Sequence, residues 1–426
     1  MDYRVIKDEK LKESYITFTH PTGLQVFLYP MKGYSTAYAL FGTKYGSIDT
    51  CFKTDADADF VEIPEGVAHF LEHKLFESEE GDAFTLFAQT GASANAFTSF
   101  DKTCYLFSCA DHFEESLGHL LTFVQEPYFT AQTVEKEQGI IGQEIRMYDD
   151  EPGWRVFFNL LTALYHNHPV RIDIAGTVES IAKIDDKLLY RCYNTFYNLN
   201  NMVLSIAGNF DVDKAIAIID QKLKPAKEIQ IERKTVEEPM TVLQHETVQR
   251  LEVALPLFHI GFKEKPEEGL ALLKAELETE ILLKVIAGSG SQLYRRLYDS
   301  GLINDAFGTE VHSGRGYFSG IFAGESKDPR KVYEEIVKEI AHFRENGLPE
   351  EDIERVKRAM YGRSIRGLND VEDVANLLVS TYFEGVGVFD AVHLIAAVTP
   401  EDIAARFASS FDPERSAISI VEPIKE

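Results

Sequence analysis

Cysteine is scarce: Cys51, Cys104, Cys109 and Cys192 are the only four in 426 residues, and no two stand in CxxC spacing. A disulfide-built scaffold and a cysteine-ligated zinc site are therefore excluded, and the four read as reduced thiols in apolar surroundings. No apolar run is long enough to span a bilayer. Met1 to Lys12 carries charges of both signs and no apolar stretch, which predicts no secretory signal and a reducing, cytoplasmic setting. Positive charge is short as well, with 43 Lys and Arg against 69 Asp and Glu and a formal net charge of -26. Such a chain repels phosphate backbones and anionic lipid, so neither nucleic acid nor a membrane is expected as its partner. No P-loop and no G-x-S-x-G occur, and Gly288 and Gly290 lack the strand-turn-helix setting of a dinucleotide site.

What is present is ordinary for a folded protein: 45% hydrophobic, 12% aromatic and 26% charged residues. The length exceeds what one hydrophobic core fills, so at least two domains are expected. From Tyr15 to Ile48 apolar and polar residues alternate between breaks at Pro21-Thr22-Gly23 and Lys32-Gly33, predicting a β meander. Gly66 to Glu77 turns helical, and Ala94 to Ser108 returns to strand character. Helices are predicted from His112 to Asp150 with a break at Glu126-Pro127, from Trp154 to Leu164 and from Ile184 to Phe196, before a strand at Met202 to Ala207. The run from Leu223 to Pro239, rich in Lys, Glu and Pro, reads as a linker with the boundary near residue 235. The second half repeats the layout: strands around Glu252 to Phe262, a helix from Leu270 to Ile286, another to Tyr298, strands from Ala306 to Phe322, then helices to the end. Hairpins mixed with helices, rather than strict βαβ units, predict an α+β fold of two related sandwich halves, residues 1–230 and 231–426. Each half is expected to be a mainly antiparallel sheet covered by helices.

His69 and His73 stand four apart in a segment of helix formers, so both project from one helix face and can reach a single metal ion. Glu72 lies three residues from His69 on the same side. Two imidazoles leave zinc short of a third protein ligand and an open position for water, and a carboxylate that is not a ligand can take a proton from that water. Glu72 fits that base role. With 12 His and 69 acidic residues, a chain of this composition contains about 0.05 chance H-x-x-[D/E]-H patterns. Downstream, Glu137, Ile140, Ile141, Glu144 and Tyr148 share one helix face. Two carboxylates in an apolar stripe are expensive unless a cation pairs with them, and a bound zinc would offset that cost at Glu144.

The segment Gly66-Val67-Ala68-His69-Phe70-Leu71-Glu72-His73, followed by Glu137-x6-Glu144, resembles the signature of the inverzincin metallopeptidases, the pitrilysin and insulinase family that includes the mitochondrial processing peptidase. Gly91 to Thr98 and His168-Pro169 through Gly176 to Ile181 extend the likeness. The resemblance implies one zinc per chain, held by His69, His73 and Glu144, with Glu72 as general base and Glu137 as a supporting carboxylate that orients a ligand. It also implies that Ala94, Asn95, Ala96 and Phe97 belong to an edge strand on which an extended peptide substrate adds as a further strand. Two half-clamshell chains closing on a chamber would then admit small peptides and exclude folded proteins.

The second half departs from the family. Many relatives carry an Arg and a Tyr, seven apart, that grip the substrate near zinc, whereas here Leu297 or Tyr298 and Asn304 occupy those positions. Arg295, Arg296 and Arg315 read instead as solvated cations of a helix or turn. An intact metal motif without that pair is expected of the zinc-bearing half of a heterodimer, whose partner is a homologous zinc-lacking subunit supplying the missing contacts; the alternatives are a self-sufficient homodimeric peptidase and a non-catalytic structural or binding subunit of the same fold. His166-Asn167-His168-Pro169 reads as a turn rather than a second metal site.

Overall fold

The alternation from Tyr15 onward does form strands, and they gather into the largest sheet among the described residues. The computed structural model describes residues 2–79 and 81–424. They divide into two units, one of Met1–Ile145, Asp173–Lys234 and Arg366–Phe389, the other of Arg146–Ile172, Thr235–Ile365 and Asp390–Glu426. The helices that matter below are α1 (Val67–Leu75), α2 (Ala131–Asp149), α3 (Pro152–Leu164), α4 (Gly269–Ala287), α5 (Glu350–Gly367) and α6 (Val371–Glu384).

The first unit holds a seven-stranded sheet of β1 (Arg4–Asp8), β2 (Glu13–Thr19), β3 (Gln25–Pro30), β4 (Ala37–Thr43), β5 (Ser93–Thr98), β6 (Thr103–Cys109) and β7 (Met202–Gly208), in the order β1-β2-β3-β7-β4-β6-β5. Only β3 and β7 run parallel; every other neighbour is antiparallel. Period-two alternation divides the core between the two faces. On β4, Ala39 and Phe41 join the helical side with Phe70 and Leu71 of α1, while Tyr38 and Leu40 face Leu378 and Val379 of α6. All seven residues of β4 are buried, as a strand covered on both faces must be.

The second unit holds β8 (Glu246–Leu251), β9 (Leu257–Lys263), β10 (Gly308–Gly314), β11 (Tyr317–Glu325) and β12 (Ser416–Pro423), ordered β8-β12-β9-β11-β10. Again one pair, β8 with β12, is parallel. The order repeats that of β3 to β7, with the closing strand of each set inserted between the first two. Helix α3 packs on β9 and β12.

Two sequence expectations are corrected here. The end of the chain is not all helical, because Ser416 to Pro423 forms β12, whose Ile418 and Ile420 enter the core. The linker run is partly structured: Ile231–Arg233 pairs with Cys51–Thr54, and Arg233 Nε donates to the buried Asp49 carboxylate at 2.7 Å. Among the described residues no helix is long and apolar enough to cross a membrane, and the four cysteines are free.

Candidate metal centre

Helix α1 begins at Gly66, whose φ of 88° is one that side-chain-bearing residues rarely adopt. A Cβ there would also meet the Ala175 carbonyl oxygen at 2.4 Å. Gly176 answers from the other side, with φ 75° and no room for a Cβ against Glu65. The two glycines thus let the 173–181 segment press on the start of α1. From there Val67, Ala68, Phe70, Leu71 and Leu75 bury one side of the helix, each large one stabilising the fold by roughly 1.5–3 kcal/mol. His69, Glu72 and His73 are left on the other side, at the three- and four-residue spacing of one helix face.

Opposite them runs α2. Val134, Glu137, Ile141 and Ile145 are its buried side, so the stripe sits slightly differently from the sequence reading, with Ile140 44% exposed. His73 Nδ1 lies 3.0 Å from Glu137 Oε1. A carboxylate only accepts, so the proton sits on Nδ1 and the Nε2 lone pair faces Glu144 Oε2 at 3.5 Å. His69 Nε2 stands 3.7 Å from Glu144 Oε1. One ligand atom from each of His69, His73 and Glu144 lies within 4.8 Å of the others. Tetrahedral zinc ligands at about 2.1 Å stand about 3.4 Å apart, so these gaps fit one ion.

The electrostatics fit as well. Burial pushes the His69 imidazole down to about 3, with nearby His73 adding to the effect, which keeps it neutral as a ligand must be. Its Nδ1 is buried and finds no hydrogen-bond partner among the described residues. Burial opposes a charge on His73, but its hydrogen bond to Glu137 and the Glu144 and Glu72 carboxylates outweigh it and raise its pKa. The Nε2 atoms of His69 and His73 stand 3.5–3.7 Å from the Glu144 oxygens, beyond a good hydrogen bond, and a cation between them would satisfy all three groups.

Glu72 carries a raised pKa because it is buried, against the opposing effect of the Thr98 hydroxyl. That hydroxyl donates to Glu72 Oε2 at 2.6 Å. Thr98 ends β5, which among the described residues pairs only with β6 and forms the sheet edge. Sequence reading gives Thr98 no role, because its acceptor lies 26 residues away on another element. Ala94 and Ala96 pack on the α1 side of the sheet. Asn95 and Ala96 line an open cleft of about 690 Å³ that also takes in Glu72, His73, Phe84 and Ile140. Phe97 is not part of that cleft; it packs on the opposite face, in the cluster of Leu40, Cys104 and Val379.

The second-half arginines lie in their own surroundings, Arg296 in a close ion pair and Arg295 in a solvated one. Arg296 Nη2 bonds Glu339 at 2.6 Å, Arg295 lies 3.7 Å from Asp299, and the Arg315 carbonyl accepts from His168 Nε2 at 2.9 Å. His166, Asn167 and His168 form a turn whose three N–H groups donate to Glu238.

Residues 61–178 match the profile of insulinase (peptidase family M16), and residues 183–360 match that of the peptidase M16 inactive domain. The chain is 40% identical over 423 residues to the zinc protease YmfH of Bacillus subtilis (strain 168), covering 98% of this chain and 99% of that one. Its fold is similar to that of an M16-like peptidase from Alicyclobacillus acidocaldarius, with TM-score 0.93, 35% identity and coverage of 100% and 99%. A protease from Helicobacter pylori shares the fold at TM-score 0.83 and 19% identity, with 96% and 99% covered. With a His69, His73 and Glu144 group that fits zinc, and with these likenesses along its whole length, the chain belongs to the insulinase family of zinc metalloproteases, peptidase family M16.

Proposed function

We propose that this protein is an endopeptidase for small, unstructured peptides, with residues 1–230 carrying the chemistry and residues 231–426 a related half without a metal motif. The observation that carries the reading is the placement of Glu72 beside the His69, His73 and Glu144 group and against the last residue of an open sheet edge. When bound, zinc supplies Lewis acidity, acidifying water and polarising a peptide carbonyl. Glu72 takes the proton of the attacking water and passes it to the departing amine. Thr98 holds one oxygen of that carboxylate and so aims the other. Glu137 keeps the His73 proton on Nδ1. An extended substrate adds to β5 as a further strand, with Ala94 to Ala96 offering backbone groups, which suits peptides of varied sequence.

The same reading makes the chain the zinc-bearing half of a heterodimer. Its support is the lack of an Arg and Tyr pair at residues 297–304, together with the engagement of Arg295 and Arg296 by Asp299 and Glu339. A reducing, cytoplasmic setting accords with the four free cysteines.

The decisive experiment measures bound zinc and cleavage of a mixed peptide pool for the wild type and Glu72→Gln. About one zinc per chain in both is expected, with turnover lost by 10²-fold or more in the variant, roughly the contribution of a positioned general base. Retained turnover would remove Glu72 from its role. Full activity of the purified chain alone would end the heterodimer proposal.

A further inference from the structure

The second unit contains an open cleft of about 350 Å³ at the start of β10. Its charged lining residues are Lys284 at the end of α4 and Arg355 and Arg363 on α5, and among the described residues no carboxylate lines it. In a chain of net charge -26, a wall charged only with cations stands out from the background. The acids paired with these cations are Glu280, 3.1 Å from Lys284 and 3.8 Å from Arg363, and Asp352, 2.7 Å from Arg355 Nη2. Three cations against two carboxylates leave an excess positive charge at the cleft.

The loop Gly288-Ser289-Gly290 completes the wall. A Cβ at Gly290 would come within 2.5 Å of Arg355 Nη1, so glycine is what lets the guanidinium lie against the loop. Nη1 has no acceptor among the described residues, because Asp352 and the Gly290 carbonyl engage Nε and Nη2. The N–H groups of Ser289 and Gly290 also have no recorded acceptor. Unused donors beside excess positive charge form a receptor for a carboxylate.

Strand topology narrows the source of that carboxylate. β10 begins at Gly308, which lines the cleft with Thr309, and it is the sheet edge, bonded only to β11 among the described residues. An extended peptide added antiparallel to β10 places its C-terminal end beside Gly308, whereas a parallel one would bring an ammonium against the cations. We propose that this cleft captures the C-terminal carboxylate of a peptide lying antiparallel on β10. The proposal rests on the reading of the protein as a peptidase for extended chains.

The test uses the full chain carrying Glu72→Gln, so that binding is read without turnover, and a short unstructured peptide labelled at its N-terminus. Anisotropy should show the free-acid peptide binding about tenfold more tightly than its C-terminal amide, the worth of a charge-assisted hydrogen bond or two. The preference should vanish in Arg355→Ala/Arg363→Ala, or in the corresponding Gln pair should the Ala pair not fold. An amidated peptide ending in Asp separates the sources: it should bind like the amide. Equal binding of acid and amide, a preference that survives the double substitution, or an Asp amide binding as tightly as the acid would each overturn the proposal. Because binding is measured without catalysis, a wild type that cleaves nothing would defeat the peptidase reading and leave carboxylate capture to be judged on the anisotropy alone.

Discussion

The hydroxyl of Thr98 donates to Glu72 Oε2 at 2.6 Å, tying the end of the edge strand to the base on helix α1. Thr98→Val keeps the shape and deletes that donor. A hydrogen bond to a charged group contributes about 1.5–3 kcal/mol, so kcat should fall about 10- to 100-fold. Zinc content should not change, and Thr98→Ser should restore most of the rate.

Glu137 acts at one remove. It receives the His73 Nδ1 proton, and Glu137→Gln offers an amide able to present either a donor or an acceptor there. Zinc affinity, read by competition with a chelator, should weaken by about 10- to 100-fold. Unchanged affinity would show that the tautomer of His73 is set by other groups.

Lys74 presents a sharper contrast between two partners. It is fully buried on α1 and its ammonium pairs with Glu77, which is 32% exposed. Glu77→Ala strands the buried ammonium and should destabilise the protein by about 3 kcal/mol, the low end expected for a broken buried pair. Lys74→Met removes the charge from the core and should cost less than about 1 kcal/mol, since the unpaired Glu77 can turn to water. Denaturant unfolding of the two variants, side by side, tests the order.

Burial pushes His168, His259 and His312 down to about 4, from an ordinary 6.5. His259 Nδ1 is buried without a hydrogen-bond partner among the described residues. All three are neutral when folded, while the unfolded chain binds protons below 6.5, so their stabilising contribution is complete above 6.5 and is lost as pH falls towards 4. The Tm of chelator-treated protein should therefore drop on going from about pH 7.5 to about pH 5, and substituting His259 with a neutral residue of similar size should flatten that dependence.

Much of this was legible in the sequence because the signals were local. His69 and His73 advertise themselves by helical spacing, and Glu144 by a carboxylate in an apolar stripe. The stripe itself was read one position wide of the truth at Ile140, since a period of 3.6 leaves residues on the edge of a face ambiguous. Thr98 was not legible: its partner lies 26 residues away, and nothing in a lone hydroxyl names its acceptor. The same holds for Glu238, which sits in a run that reads as linker yet accepts three backbone N–H groups and the ammonium of buried Lys263. Strand β12 was hidden for another reason. Ser-Ala-Ile-Ser-Ile-Val is a fair strand, but it follows five α-helices and belongs beside β8 and β9, about 160 residues earlier in sequence.

In both sheets the strand made last takes an inner place: β7 enters between β3 and β4, and β12 between β8 and β9. During synthesis β4 and β9 therefore wait with one edge bare until β7 and β12 have left the ribosome, an interval in which that edge is open to wrong pairing. Trimming residues 416–423 would not fray a margin. It would cut β8 off from its partner among the described residues and bare an inner edge of β9, whose Ile260 belongs to the core, so a pull from that side grips an inner strand rather than a loose margin.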